Sequence, residues 1–215
     1  IRGGAAAYFF QNYVGDNNIL WITNDGSEIR LTTGVYLAVG EIANMIGVIL
    51  AVPISSLIGK KYTYMFAMSM AAILSIVFFY ASESWLYLSL QIFISIMAGM
   101  TFPLLWSMYA DVADYSELKN GRSSTGLIFS SSTMAQKFGG AFGSALILWL
   151  LSYYGYNTAL NSVQNNGALF GLNMLMSWLP GLSCLIAVVA LSFYPLSDKK
   201  MKDITEQLKK RRENY

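Results

Sequence analysis

Long apolar segments separated by short polar ones make up most of this chain. A helix needs about 20 mainly apolar residues to cross the ~30 Å hydrocarbon core of a bilayer. The pattern therefore predicts an all-α protein with transmembrane helices at residues 34–58, 63–81, 85–110, 124–154 and 168–194. Residues 1–15 are also apolar but would span only about 22 Å as a helix, so we expect a sixth helix that is truncated at its start.

The composition agrees with a membrane protein. Of the 215 residues, 55% are hydrophobic and 12% are charged, whereas about a quarter of the residues in soluble domains are charged. The chain has no histidine and one cysteine, Cys184, which excludes an internal disulfide, histidine-based catalysis and Cys/His metal sites. We therefore expect no cofactor and no metal site. The lack of an initiator methionine and of signal-peptide features predicts a fragment of a longer protein.

The lysines and arginines between the helices lie almost entirely on one side of the predicted bundle. Eleven are found at Lys60 and Lys61, in the loop that ends at Arg122 and after Pro195, whereas the opposite side has only Arg30, in the loop 16–33. Cytoplasmic loops are enriched in basic residues. The sequence thus predicts a multi-pass protein of the inner (plasma) membrane, with a transmembrane bundle at 1–195 and a cytoplasmic tail at 196–215.

The tail carries Met201, Ile204 and Leu208 at helical spacing, surrounded by basic residues. One interpretation is a short helix that lies on an anionic membrane leaflet. The other is a solvated cytoplasmic end whose charges only follow the orientation rule.

Lys137 is the most unusual residue of the membrane segments. It lies about 13 residues, roughly 20 Å, from the basic end of its helix. A charge at mid-membrane costs several kcal/mol unless it is paired or hydrated, so Lys137 either forms a structural salt bridge or faces a wet cavity. The serine, threonine and glutamine residues around it favour a cavity that binds hydroxyl groups.

Two stripes of small or polar residues run along the same helix. The first predicts a face on which another helix packs closely and consists of Ser131, Ala135, Gly139 and Gly143. The second is more polar and consists of Ser132, Gln136, Gly140 and Ser144.

Three further residues are candidates within the membrane segments. Arg2 lies deep in the truncated helix and Glu41 in the outer half of the next one; the two side chains pair with each other or each faces a cavity. Trp106 ends the apolar part of its helix, where an indole serves as an interfacial anchor or stacks on the apolar face of a sugar ring.

The densest charge cluster lies between the fourth and fifth helices and consists of Asp111, Asp114, Glu117, Lys119 and Arg122. Two nearby carboxylates allow an aspartyl-protease dyad, in which they share a proton. However, such a dyad takes its carboxylates from different segments, and Asp111 and Asp114 share one helix end. Charge pairing that holds helices together is the better interpretation.

Several motifs resemble one transporter family. The motifs ADVADYSELKNGR and FSSSTMAQKFGGAFG resemble the signature around the tenth and eleventh helices of the glycoside-pentoside-hexuronide:cation symporters, the melibiose permease family of the major facilitator superfamily. AAAYFFQNYVGD is similar to the seventh helix of that family, and LIGKK resembles its basic turn between helices eight and nine. The resemblance extends over the entire chain.

The resemblance implies a fold of twelve helices in two six-helix halves, with the substrate between them. This chain would be the C-terminal six-helix bundle, while the carboxylates that bind the cation would belong to the N-terminal half. By position, Lys137 matches the family lysine beside the cation site and sugar pocket, Thr133 and Gln136 match cavity positions, and Trp106 resembles a tryptophan near the pocket floor. Asp111, Asp114 and Arg122 match a cytoplasmic charge network that stabilises the outward-facing state.

The resulting functional prediction is half of a secondary active transporter. It would import a sugar or glycoside together with sodium or protons by alternating access, with the lipid bilayer and its N-terminal half as further partners and no nucleic acid. An intramembrane aspartyl-type enzyme and a non-transporting scaffold or receptor are the alternatives. Glu41 has no role by resemblance.

Overall fold

The computed structural model describes residues 2–14, 19–22, 28–157 and 164–213. A short helix, Arg2–Phe9, continues into a π-helical turn at Phe10–Val14, and two short antiparallel strands follow before the long helix Thr33–Ile58. The elements are α1 (Arg2–Phe9), β1 (Ile19–Ile22), β2 (Glu28–Arg30), α2 (Thr33–Ile58), α3 (Lys60–Phe78), α4 (Ser84–Asn120), α5 (Thr125–Tyr153), α6 (Asn166–Met176), α7 (Trp178–Ser192) and α8 (Asp198–Glu213).

Within the described residues, five helical segments are long and apolar enough to cross a membrane: α2, α3, α4, α5 and the pair α6 and α7 taken together. The all-α polytopic architecture predicted by the hydrophobic pattern is therefore confirmed. We call the end of the bundle with β1 and β2 the hairpin side and the end with α8 the tail side. The sequence predicted only a loop over residues 16–33, since strands of four and three residues are too short to give a pattern.

Two predicted helices differ most from the structure, and the helix expected at 63–81 lies three residues earlier, at Lys60–Phe78. The helix expected at 85–110 continues to Asn120, because its charged segment contains no helix-breaking residue before Gly121. Gly121 ends the helix in the left-handed conformation, with φ 71°, which glycine adopts without strain. The helix expected at 168–194 is interrupted at Ser177. Pro180 lacks the N–H that would bond the carbonyl four residues earlier, so the chain breaks there and restarts as α7.

The main hydrophobic core lies on the hairpin side and is rich in aromatic rings. Phe9 is fully buried and its ring stacks on Tyr13 at a centroid distance of 4.8 Å. It also contacts Phe78 of α3 and Tyr87 of α4, at 5.7 and 5.4 Å. The end of α1 is therefore held between α3 and α4.

Helices α2 and α4 pack most closely where two glycines face each other. A Cβ atom at Gly47 would collide with the carbonyl of Ile96, and one at Gly99 would collide with the carbonyl of Asn44. Glycines allow this close approach of membrane helices. The seam fixes α4, whose extension beyond the membrane segment then supports α8.

The tail helix packs on this extension of α4. Its buried residues Met201, Ile204 and Leu208 contact Val112 and Leu118. The helical spacing in the tail is therefore confirmed, but its apolar face is covered by protein. This arrangement differs from both interpretations of the sequence, because the apolar residues neither lie on a leaflet nor are simply solvated.

Candidate functional site

Lys137 is the thirteenth of the 29 residues of α5, and its side chain is exposed. Among the described residues it has no hydrogen-bond or ion-pair partner. A structural salt bridge from Lys137 to a neighbouring helix is thus absent from the described part of the chain. The structure leaves the ammonium group of Lys137 accessible on the surface of α5.

Thr133 and Gln136 lie within one turn of Lys137 and are also exposed. The Thr133 hydroxyl donates to the backbone carbonyl of Phe129 at 2.8 Å, as hydroxyl groups of membrane helices often do. Lys137, Thr133 and Gln136 therefore form one exposed polar patch, which we call the α5 patch.

The small-residue stripe on α5 is largely unused within this chain. Among the described residues, no atom outside the backbone of α5 itself lies within 4 Å of a Cβ built at Gly139 or at Gly140, whereas Gly143 is buried. Of the four residues in this stripe, only Gly143 is buried in the described structure. Gly143, Ile147 and Leu151 are the buried residues of α5.

Trp106 is half-buried and joins α4 to α5. Its indole stacks on Phe129 at a centroid distance of 5.8 Å and an interplanar angle of 23°, and it meets Tyr109 edge-on at 5.9 Å. One face of the indole is thus covered by Phe129. Phe129 lies eight residues, about 12 Å along the helix, from Lys137.

Arg2 is bound within the helices of the hairpin side. Its Nε and Nη2 both donate to the hydroxyl of Tyr36, at 3.1 and 2.7 Å, and the guanidinium lies 4.5 Å from the centre of the Phe78 ring. Glu41 is exposed on α2. The suggested pair of Arg2 with Glu41 does not form, and Tyr36 takes the place of the carboxylate.

The charge cluster at the end of α4 is only partly joined. Lys60 Nζ donates to both carboxylate oxygens of Asp111 at 2.8 Å, and this pair connects α3 to α4. Asp114, Lys119 and Arg122 form no salt bridge among the described residues. The structure therefore brings Asp111 together with Lys60, a residue that sequence reasoning had used for orientation and in the LIGKK motif but not as a partner of Asp111.

Three further hydrogen bonds surround the Lys60 and Asp111 pair. The backbone N–H of Lys60 donates to the Asp198 carboxylate of α8 at 3.2 Å. Lys61 Nζ donates to the carbonyls of Ser192 and Tyr194, at 2.9 and 2.7 Å. We call Lys60, Lys61, Asp111, Tyr194 and Asp198 the tail-side junction. It ties the first turn of α3 to α4, to the end of α7 and to α8.

A signal for this junction was present in the sequence. Two lysines stand in the first turn of α3, where the helix dipole disfavours cations and favours anions. Such a placement calls for carboxylates nearby, and Asp198 and Asp111 supply them. A cavity of about 720 Å³ adjoins the junction between the end of α2 and α8.

Tyr194 lies between the acidic groups of the junction. Burial raises the pKa of its hydroxyl, and the nearby carboxylates of Asp111 and Asp198 raise this pKa further. The hydroxyl oxygen is buried without a hydrogen-bond partner among the described residues. Tyr194 therefore stays neutral in the folded protein.

The long apolar helices define the class of the protein, a multi-pass all-α membrane protein. Its ionisable side chains include the exposed Lys137 on α5 and the charged tail-side junction. Comparison with known families identifies it further. Residues 1–198 match the model of the family described as MFS/sugar transport protein, and the chain belongs to this family. The resemblance of its motifs to a sugar transporter family is thereby confirmed.

Individual relatives agree with this assignment. The inner membrane symporter YicJ of Escherichia coli K12 is 30% identical over 211 residues, which cover 97% of this chain and 43% of YicJ. The glucuronide carrier protein homolog of the same organism is 28% identical over 186 residues, or 84% of this chain and 40% of the relative. The chain thus spans less than half the length of these two relatives.

Proposed function

We propose that the chain is the C-terminal half of a symporter that imports a sugar or glycoside together with sodium or protons. Family membership and the names of the relatives, a symporter and a glucuronide carrier homolog, support a transported solute of this class. The exposed and unpaired Lys137 carries the proposal, because a cation at mid-membrane needs water or a partner outside this bundle.

In this proposal, the α5 patch faces the cavity between the two halves. The N-terminal half supplies carboxylates for the coupling cation, and the ammonium group of Lys137 competes with that cation for them. Lys137 and Gln136 also present N–H donors to sugar hydroxyls. Sugar binding and cation binding are then linked through a single movable charge. Trp106 contributes from the edge of the cavity, with the indole face that Phe129 leaves uncovered.

The tail-side junction has a different role in the same cycle. Alternating access requires each half to move as a unit, and the contacts of Lys60 and Lys61 connect four helices at one end of this half. We assign this end to the cytoplasm because of its basic residues, in a protein of the inner membrane. Asp114, Lys119 and Arg122 are then available to contact the other half in the outward-facing state. We place Arg2 on the hairpin side of this half, beside the cavity between the two halves.

The alternatives have less support. An aspartyl-type enzyme requires two carboxylates that share a proton, but both oxygens of Asp111 accept from Lys60. A non-transporting scaffold or receptor gives Lys137 no reason to be exposed at mid-membrane.

Transport in proteoliposomes tests the proposal. The full-length transporter is reconstituted, and uptake of labelled glycosides is measured with an inward sodium gradient, an inward proton gradient or neither. We expect accumulation of at least one glycoside with one of the gradients. Binding without accumulation under any gradient would favour a receptor, and chemical conversion of the glycoside would favour an enzyme.

A further inference from the structure

The face of α5 that carries Lys137 leads to a cavity on the hairpin side. Residues spaced by seven, four and four positions lie on one face of a helix, and here they are Lys137, Ser144, Leu148 and Ser152. Leu148 and Ser152 line a cavity of about 210 Å³ together with Tyr8, Leu151 and Tyr156. This cavity therefore lies on the same face as the α5 patch, 11 to 15 residues or about 16–22 Å further along the helix.

Two tyrosine rings form one wall of the cavity. The rings of Tyr8 and Tyr156 meet edge to face, with a centroid distance of 5.6 Å and an interplanar angle of 83°. Asn12 fixes this arrangement, because its side-chain amide donates to the Tyr156 hydroxyl oxygen at 2.9 Å and to the Tyr8 backbone carbonyl at 2.9 Å. The wall is thus built by α1 and the segment that follows α5.

Hydroxyl groups with unused hydrogen-bonding capacity surround this wall. The Tyr156 oxygen accepts from Asn12, so its own proton remains free to donate. The hydroxyls of Tyr8 and Ser152 make no hydrogen bond within the described part of the chain. Leu148 and Leu151 supply the apolar part of the lining.

This combination fits the chemistry of a pyranose ring, which has an apolar face of C–H groups and a rim of hydroxyls. Aromatic rings with a polar group at the edge bind surfaces of that kind. The cavity has the volume of about seven water molecules in the liquid. It is smaller than the ~300–1,000 Å³ of sites for drug-sized ligands, so it has room for a single sugar ring.

We propose that this cavity is a subsite for a single pyranose ring, separate from the α5 patch. The inference rests on the proposed transport of sugars, and it adds a second contact point on the hairpin side. A sugar bound there touches the face of α5 that continues to Lys137. Neither a charged side chain nor a metal-binding group lines the cavity. The subsite therefore recognises the uncharged ring of the sugar.

Sugar binding to this chain tests the subsite without requiring transport. The chain is placed in lipid nanodiscs, and methyl β-D-glucopyranoside is titrated while saturation transfer to its C–H protons is recorded. The open-chain polyol mannitol serves as the control ligand. We expect saturable transfer for the glucoside and none for mannitol. Tyr156→Ala and Tyr8→Ala should each weaken binding at least about tenfold, whereas Tyr153→Ala, at an exposed neighbouring tyrosine of α5, should leave it unchanged.

A conservative variant and a mapping experiment keep the result interpretable if an alanine variant misfolds. Tyr156→Phe retains the ring and removes the donor, so binding should weaken less than in Tyr156→Ala. A glucoside with a photoreactive diazirine should label peptides that contain Tyr8 or Tyr156. Binding that is insensitive to both tyrosines and lost in Lys137→Leu would overturn the subsite and leave the proposed transport intact. The absence of any glucoside binding would also overturn it, while gradient-driven uptake tests transport separately.

Discussion

The ammonium nitrogen of Lys60 lies 2.8 Å from both carboxylate oxygens of Asp111, and this pair connects the first turn of α3 to α4. The Asp111 side chain is only 13% exposed, so the removal of Lys60 leaves a largely buried carboxylate without a cation. We expect Lys60→Met to lower the free energy of unfolding by about 1–3 kcal/mol, measured by thermal denaturation in detergent.

Lys119→Met is the matched control for Lys60, since Lys119 is an exposed lysine that forms no salt bridge in the described chain. The double variant Lys60→Asp, Asp111→Lys should regain part of the lost stability. If Lys60→Met unfolds at the same temperature as Lys119→Met, the pair does not stabilise the bundle.

The glycine seam between α2 and α4 allows a sharper comparison. Gly99→Ala places a methyl group against the Asn44 carbonyl, so the helices must separate. We expect a loss of about 1–3 kcal/mol of stability, seen as a lower melting temperature. Gly139→Ala is the control because no atom lies near its Cβ position. Equal melting temperatures for the two variants would show that the seam is not close-packed.

The contact between α8 and α4 can be tested through the accessibility of the tail. Ile204 is 4% exposed, and Ile204→Asp puts a charge into the apolar contact. We expect α8 to separate from α4, with faster amide hydrogen exchange and faster proteolysis within residues 198–213. Gln207→Asp changes an exposed position of the same helix and should leave both rates unchanged. A tail that is equally protected in both variants would contradict the packing.

Tyr194 predicts a dependence of stability on alkaline pH. Its pKa is raised in the folded protein by burial and by two carboxylates, so above pH ~10, the ordinary tyrosine pKa, the unfolded chain loses a proton that the folded chain keeps. The contribution of this group is complete below pH ~10 and is lost as the pH rises toward the folded pKa.

The variant Tyr194→Phe isolates this effect. Because it removes a buried hydroxyl without a partner, it should melt at the same temperature as the native chain or higher at pH 7. Between pH 9 and pH 11 the native chain should lose more stability than the variant, as measured by melting temperatures across that range. Parallel pH profiles for the two proteins would show that Tyr194 titrates normally.

The hydrophobic pattern was sufficient to locate the membrane helices, because bilayer thickness sets their length regardless of how they pack. It predicted the end of α4 ten residues too early, since the criterion detects apolar residues and the charged extension remains helical up to Gly121. The hydrophobic pattern also did not predict the break in the helix at Ser177. Residues 168–194 are mainly apolar and carry no charge, and only Pro180 indicates the interruption.

The charge contacts illustrate what the sequence could not supply. Asp111 was identified as a residue that joins helices, but its partner Lys60 is 51 positions away. The partner of Arg2 was sought among the carboxylates, although a phenol serves at Tyr36. Pairing over such distances depends on which helix faces meet, and one sequence does not contain that information. Lys137, in contrast, could be singled out from the sequence alone, because it is a charged residue deep in an apolar helix.

The role of Lys137 is the central claim, and gradient-driven uptake by variants at this position tests it most directly. Proteoliposomes with the full-length transporter are loaded identically, and glycoside accumulation is followed under the cation gradient that drives the native protein. We expect Lys137→Leu to insert normally and to lose accumulation, while Lys137→Arg retains part of it because the charge is kept. Accumulation by Lys137→Leu at the native rate and extent would contradict the account.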